Sequence, residues 1–306
     1  MRDDFCAFIL THGRPDKVVT YDLIRRRGYT GKIYIVIDDE DTTADAYRRL
    51  YGDQVLTFSK DQVAAYTDQY DNFTDRRAIL WARNACWQLA QDVDCRYFIQ
   101  LDDDYHGMMY RLAGKREPQG NVVWRGWSIH SLDDVFEALV RFMETTPADT
   151  ICMSQGGDHF GGDQGDTSIK MKRKAMNSFI LDRTNPYLFS GRINEDVNTY
   201  VGLGRQGKLF FTHMSLQLDQ QTTQTSSGGM TELYLHSGTY VKSFYSVISA
   251  PSCVTIRSMG RMNRRLHHSI QWDNAVPVII SETHRKHRGE TITEVTTKQS
   301  RKRGGN

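Results

Sequence analysis

Residues 97–105 read YFIQLDDDY: an apolar run with the character of a buried strand that stops on three adjacent carboxylates, Asp102, Asp103 and Asp104. Carboxylates this close repel and raise one another's pKa unless positive charge lies between them. Side chains alternate along an extended chain, so an Asp-X-Asp ending projects its outer two groups to one side. Asp102 and Asp104 are thereby placed to address one hard divalent cation, Mg²⁺ or Mn²⁺, with positions left for substrate phosphates. The other reading is an exposed acidic turn or a helix cap. The triplet alone does not choose.

The stretch before it alternates strand and helix. DFCAFILT reads as a strand closed by the loop HGRPD, and KVVTYDLIRRRG as a helix stopped by Gly28. GKIYIVIDDED is a second strand ending on acids, TADAYRRLYG a short helix, DQVLTFSK a third strand. TDRRAILWARNACWQLAQDV reads as one long amphipathic helix leading into the strand that ends at the triplet. Strands separated by helices imply an α/β fold with a doubly wound, mostly parallel sheet and helices on both faces. In such sheets ligands sit beyond the carboxyl ends of the strands. THGRP, DDED and LDDD all fall on that edge. One acidic strand end reads as a turn; several on one edge read as a site.

Further on, SLDDVFEALVRFMETTP is an amphipathic helix with Ser131 at its N-cap. The Gly- and Asp-rich DTICMSQGGDHFGGDQGDT reads as a loop, KMKRKAMNSFILDRT as a basic approach to a strand, and RINEDVNTYVGLGRQG as a loop feeding a helix. KLFFTHMSLQL is another strand, and SGTYVKSFYSVISAPSCVTI returns to ordered structure after a polar stretch.

A chain of 306 residues with 25% charged and 39% hydrophobic residues has ordinary globular composition, which argues against wholesale disorder. No apolar run approaches the ~20 residues of a membrane span, and two acids ahead of a very short apolar stretch do not read as a signal peptide. Cys6, Cys86, Cys95, Cys152 and Cys253 are scattered without a CxxC pair, which points to free thiols in a reducing, cytoplasmic setting. Of 39 Lys/Arg and 37 Asp/Glu, residues 257–306 hold 11 and 4, leaving 28 and 33 for residues 1–256. The body is mildly acidic and the C-terminal segment basic, suited either to an anionic partner such as nucleic acid or to solubility alone.

Glu195 and Asp196, in RINEDVNTY, lie far downstream of the triplet, where a doubly wound domain can return them to the same edge. A carboxylate there can take a proton from an attacking hydroxyl; a helix N-terminus satisfied by its dipole is the plainer reading. Asn194 and Asn198 add hydrogen-bonding capacity for a polyhydroxylated substrate.

Together, strand–THGRP, strand–DDED, the RRAILWARN helix, strand–LDDD and the later NED resemble a GT-A glycosyltransferase over residues ~1–215. INEDVNTY, SSGGMTELY, GTYVKSFYSVISAPSCV and HHSIQWDNAVP resemble the bacteriophage glycosyltransferases associated with TET/JBP-type hydroxylases, which add sugars to hydroxymethylated pyrimidines in DNA. The resemblance implies a GT-A-like domain over 1–284, a basic tail over 285–306, and a location in the cytoplasm, that of the host if the protein is phage-encoded. It implies transfer of a hexose from UDP-glucose or a similar UDP-sugar to a 5-hydroxymethylpyrimidine in DNA, with Mn²⁺ or Mg²⁺ held by Asp102 and Asp104. Asp196, or failing it Glu195, becomes the base. Thr11, His12, Gly13, Arg14 and Pro15 are expected beneath the donor nucleotide, Asp38 and Asp39 at its base or ribose, and Asp103 with them. Arg76, Arg83 and Asn84, on the helix ahead of the triplet, are expected at ribose or diphosphate. His267 or His268 is expected to complete the metal shell.

For DNA the candidates are Lys170, Lys172, Arg173, Lys174, Arg257, Arg261, Arg264 and Arg265, with Tyr240, Phe244, Tyr245 and Trp272 for stacking, although most of these aromatics suit a core better. Rival readings are the same fold acting on a non-DNA acceptor, a non-catalytic nucleic-acid-binding module, and a nucleotidyltransferase.

Overall fold

Four strands made from the first hundred residues set the frame. In a computed structural model describing residues 1–74, 76–116, 122–159, 174–220, 241–259 and 265–276, β1 (Phe5–Leu10), β2 (Lys32–Asp38), β3 (Val55–Phe58) and β4 (Tyr97–Asp102) lie parallel in the order β3-β2-β1-β4. Their crossovers carry α1 (Val19–Arg26), α2 (Ala44–Tyr51), α3 (Lys60–Ala64) and α4 (Leu80–Asp92). Parallel strands covered on both faces are apolar at every position rather than at every second one, and β1 is buried throughout. Its Phe5, Ala7 and Ile9 join Leu23, Ile24 and Phe136 in one core layer. Cys6, Phe8 and Leu10 join Leu80, Ala85, Cys86 and Leu89 in the other.

Beyond β4 the sheet becomes mixed. β5 (Tyr105–Arg116), β6 (Val122–Ser128), α5 (Leu132–Thr145), β7 (Thr150–Gln155), β8 (Ser178–Asp182), α6 (Glu195–Gly204) and β9 (Phe210–Gln220) complete nine strands ordered β3-β2-β1-β4-β8-β7-β9-β5-β6. β8 runs antiparallel to both β4 and β7, β7 and β9 are parallel, and β5 is antiparallel to β9 and β6. The fold class is α/β, as expected. After the large sheet come α7 (Val241–Ser249), the antiparallel pair β10 (Val254–Met259) and β11 (Arg265–Ile270), and α8 (Trp272–Ala275). Trp272 stacks on Tyr200 of α6 at 6.0 Å, as a core residue.

Several details depart from the sequence reading. Residues 150–155 are not loop: TICMSQ is a strand buried at all but its last position, and the Gly/Asp-rich composition belongs to the residues after Gln155. The long helix starts at Leu80, so Arg76 precedes it and does not share a helix face with Arg83. There the Trp81 indole donates to the Arg76 carbonyl at 3.0 Å. Ser131 does sit at the N-cap of α5, but its hydroxyl makes no capping bond. Residues 105–128, for which no element was expected beyond Tyr105, supply β5 and β6. The anticipated tail 285–306 lies outside the described residues.

Candidate active site

The carboxyl ends of β1, β2 and β4 meet at one edge, and the loops leaving them are tied together by buried acids. Asp103 is wholly buried. It accepts from Thr11 Oγ1 at 2.6 Å and from Arg14 through Nε at 2.7 Å and Nη2 at 2.6 Å. A bidentate arginine–carboxylate pair of this kind fixes geometry as well as charge. Arg14 and Asp103 therefore hold one another and brace the THGRP loop. Tyr47 adds to the brace: its hydroxyl bonds Thr11 Oγ1 at 2.8 Å and accepts from the Arg14 amide at 3.0 Å. Pro15 begins the short turn Pro15–Lys17.

His12 and Asp38 form the next layer. His12 Nδ1 lies 2.7 Å from Asp38 Oδ2, and the buried Lys60 ammonium lies 3.0 Å from Asp38 Oδ1. The hydrogen bond to Asp38 raises the His12 pKa against partial burial. Burial pushes Asp38 up, but the bond and charge of His12, joined by Lys60, outweigh it and leave its pKa lowered. Gly13, at φ +70, offers its amide to Asp41 Oδ2 at 2.8 Å. Asp39 accepts from the Lys60 amide at 3.0 Å.

At the triplet, alternation works as the sequence suggested: Asp103 is buried while Asp102 and Asp104 on either side are partly exposed. Thr20 clamps the turn. Its Oγ1 donates to the Asp102 carbonyl at 2.7 Å and accepts from the Tyr105 amide at 3.0 Å, while its amide bonds the Asp103 carbonyl at 3.1 Å. Asp104 accepts from Gln220 Nε2 at 3.1 Å. Burial pushes the Asp102 carboxyl up to about 7; Arg83 opposes this, and Asp104, Glu195 and Asp103 add to it.

Arg83 joins the two acidic segments. Its guanidinium, 1% exposed, lies over the rings of Phe179 and Phe189 at 4.9 and 5.8 Å. Nε donates to Glu195 Oε1 at 3.0 Å and Nη2 to Asp102 Oδ1 at 3.2 Å, while Nη1 has no partner among the described residues. LDDD and NED thus meet through one buried cation. Asp196, beside Glu195 in the first turn of α6, is raised by burial and by Glu195. Its Oδ1 accepts from the Val197 amide at 2.7 Å. Asn194 precedes them at φ +57, a left-handed conformation that Asn tolerates better than most residues. Its amide donates to the Lys242 carbonyl at 2.8 Å and lies 3.5 Å from His268 Nδ1. His268 therefore arrives next to α6; burial, then His267, Lys242 and Lys174, push its pKa down to about 4, so the imidazole is neutral. His267 Nδ1 lies 2.8 Å from the His268 carbonyl.

Carboxylates outnumber cations here, and one of them is held near neutrality by burial. Oxygen ligands short of positive charge suit a hard divalent ion. Among the described residues no group of three His, Cys, Asp or Glu converges on one point, so protein oxygens would fill only part of a coordination shell.

Other expected residues are engaged elsewhere. Asn84 donates to Thr67 Oγ1 and the Phe189 carbonyl at 3.0 and 2.9 Å and accepts the Phe189 amide at 2.8 Å, which orients that segment and leaves the side chain no reach to a donor. Arg76 pairs with Glu40 at 3.1 Å and Asp61 at 2.5 Å. With Trp81 it borders an open cleft of about 430 Å³. The Asn198 amide donates to the Ile193 and Ser190 carbonyls at 3.0 and 3.2 Å and so serves the backbone.

The sequence pattern of one family, described as TET-Associated Glycosyltransferase, matches residues 5–229. The chain belongs to that family. The match spans the triplet, the NED segment and every strand of the large sheet. No curated protein matches. Among solved structures, glucosyl-3-phosphoglycerate synthase from Mycobacterium tuberculosis is similar in two complexes. The first, with Mn²⁺, uridine diphosphate and phosphoglyceric acid, shares 7% identity, covering 88% of this chain and 87% of that one at a TM-score of 0.44. The second, with Mn²⁺, uridine diphosphate and glucosyl-3-phosphoglycerate, shares 8%, covering 88% of each chain at 0.42.

Thr20, Asp41, Tyr47, Lys60 and Gln220 were missed as site residues by sequence reasoning. Asp41 stood in the DDED run and was legible there. The other four carry no pattern, because each acts on a group that only the sheet order brings near. Of the residues raised for DNA, Lys174 pairs with Asp158 at 3.4 Å, Arg257 is exposed on β10, and buried Tyr245 donates to Asp71 at 2.5 Å. Lys170, Lys172, Arg173, Tyr240, Arg261 and Arg264 lie outside the described residues.

Proposed function

We propose that this glycosyltransferase moves a hexose from a UDP-sugar, UDP-glucose in the first instance, to the hydroxymethyl group of a 5-hydroxymethylpyrimidine in DNA. The observation that carries the reading is the Arg83 bridge between Asp102 and Glu195, which brings two acidic segments 93 positions apart to one point. The bond from the anomeric carbon to the diphosphate oxygen breaks. A bond from the hydroxymethyl oxygen to that carbon forms, and the hydroxyl proton passes to Asp196, or to Glu195 if that group lies nearer. Direct displacement of this kind inverts the anomeric carbon.

Asp102 and Asp104 would hold Mn²⁺ or Mg²⁺, with neutral His268 the better placed of the two histidines. A bound divalent ion supplies neutralisation of charge on the departing diphosphate. Arg83 opposes the protonation that burial favours at Asp102 and, through its bonds to Asp102 and Glu195, holds the two side chains in place. His12, Gly13, Asp38 and Asp39 face the donor's base and ribose, on a loop made rigid by Arg14, Asp103 and Thr11. The catalytic domain runs over residues 1–284, with the basic segment beyond it.

The test is the mass of nucleosides released from hydroxymethylated DNA after incubation with the protein, Mn²⁺ and UDP-glucose. A hexose increment on the modified nucleoside is expected. UDP-glucose hydrolysis without that increment would keep the donor and remove the DNA acceptor.

A further inference from the structure

We propose that the ribbon formed by β5 and β6 is the surface that grips DNA beside the acceptor base, with Trp127 stacking and Arg125 contacting phosphate. The inference rests on the DNA-acceptor reading and names where that DNA lies. β5 leaves the site directly: it starts at Tyr105, one residue after Asp104. β6 is the outermost strand on that side of the sheet.

The ribbon's chemistry fits a polyanion with flat faces. Residues 105–128 contain Arg111, Lys115, Arg116 and Arg125 against one acid, Glu117. No described carboxylate engages Arg111, Lys115 or Arg125, and Arg111 Nε has no hydrogen-bond partner among the described residues. Trp127 pairs with Tyr110 and Arg125 with Leu112 across the ribbon, so all four share one face. On that face Trp127 is 51% exposed and Leu112 49%, in a protein whose other tryptophans are more covered.

Glycines let both arginines lie flat. A Cβ on Gly126 would meet Arg111 Nη1 at 3.1 Å and Cδ at 3.3 Å, and one on Gly114 would lie 3.6 Å from Arg125 Nε. Arg125 thus lies against Gly114 on the Trp127 face, while Arg111 lies against Gly126 on the opposite face of the ribbon. Aromatic faces interleaved with arginine are the chemistry that tracks a nucleic-acid strand.

Reach agrees with the assignment. Tyr110, the partner of Trp127, is six residues past Asp104, about 20 Å along an extended strand. A base presented to the carboxylates would leave the ribbon beside nucleotides roughly six steps away, at ~3.4 Å per step.

The experiment measures DNA binding by fluorescence anisotropy across a salt series, using a hydroxymethylated duplex. The unaltered protein is compared with Trp127→Ala and with the double variant Arg125→Gln/Lys115→Gln. All three positions are exposed, and thermal melts verify folding. Trp127→Ala is expected to weaken binding about fivefold or more, fivefold being the low end of what loss of a stacked base costs. The double variant is expected to flatten the slope of log affinity against log salt by up to ~0.9 per lost phosphate contact. UDP-glucose hydrolysis should be unchanged in both. If the unaltered protein binds and glucosylates the duplex while both variants match it in affinity and slope, the ribbon assignment is wrong and the DNA reading survives. If the unaltered protein neither binds nor modifies the duplex, both fall together.

Discussion

Asp196 and His12 show what single side chains are asked to do. Asp196→Asn keeps the shape of the site and removes the proposed proton acceptor, so transfer is expected to fall by about two orders of magnitude or more. Donor binding, followed by calorimetry with UDP, should be retained; if Asp196→Asn transfers normally and Glu195→Gln does not, the base is one position away. His12 gives a pH signature. Its raised pKa means its ionic contribution is complete below the unfolded value near ~6.5 and is lost as pH rises through the higher folded value. Asp38, lowered, contributes above ~3.9 and loses that contribution as pH falls through its own folded value. The stability difference between the protein and His12→Gln should therefore be greatest between about pH 4 and 6.5 and shrink towards pH 9. It should also be modest, since His12 is half exposed and screened. A difference constant in pH would contradict the pairing. At this scale the sequence was legible where alternation alone decides, as at Asp102 and Asp104. It was not legible for Arg83: its pattern placed it on a helix before the triplet, but pattern cannot say that its partner comes from α6.

Elements were legible where one signal dominated. β1, β2 and β4 carry unbroken apolar runs, and Gly28 ends α1 for a reason the structure makes plain. At φ +85 it approaches the next segment so closely that a Cβ would lie 2.4 Å from the His130 carbonyl. Gly28→Ala combines a disfavoured conformation with a backbone clash and is expected to destabilise by about 1–3 kcal/mol, read from urea denaturation. Gly157→Ala, which meets nothing within 4 Å and has no positive φ, is the matched control outside the large strands. β7 was misread because six residues of good strand sequence abut a Gly/Asp-rich run, and a window that averages both sees only the loop. The start of α4 was set too early because the Arg76 carbonyl is taken by the Trp81 indole, a contact with no sequence signature. β5 and β6 carried polar and glycine residues at positions where a covered strand would be apolar. β6 is the edge of the sheet and β5 its neighbour, where that composition costs little.

The whole molecule is assembled from distant pieces. The βα units of β1 to β4 announce themselves, but the order of the later strands is invisible in sequence because β8, β7 and β9 enter between β4 and β5. This order has a consequence during synthesis. Leu101 of β4 pairs with Ser178 of β8, so at ~5–20 residues per second the ribosome needs roughly 4–15 s to supply the partner of an apolar strand already made. For that interval the edge YFIQLD is open, and open apolar edges recruit other chains. A fragment ending at residue 150 is therefore expected to aggregate on expression, whereas one ending at residue 220 should stay in solution; sedimentation of the two lysates compares them. The same timetable governs chemistry. Glu195 and Asp196 are translated after β8, and Gln220, which holds Asp104, comes later still. A chain still on the ribosome thus closes its most vulnerable seam before it owns the carboxylates proposed to take the proton from the acceptor hydroxyl.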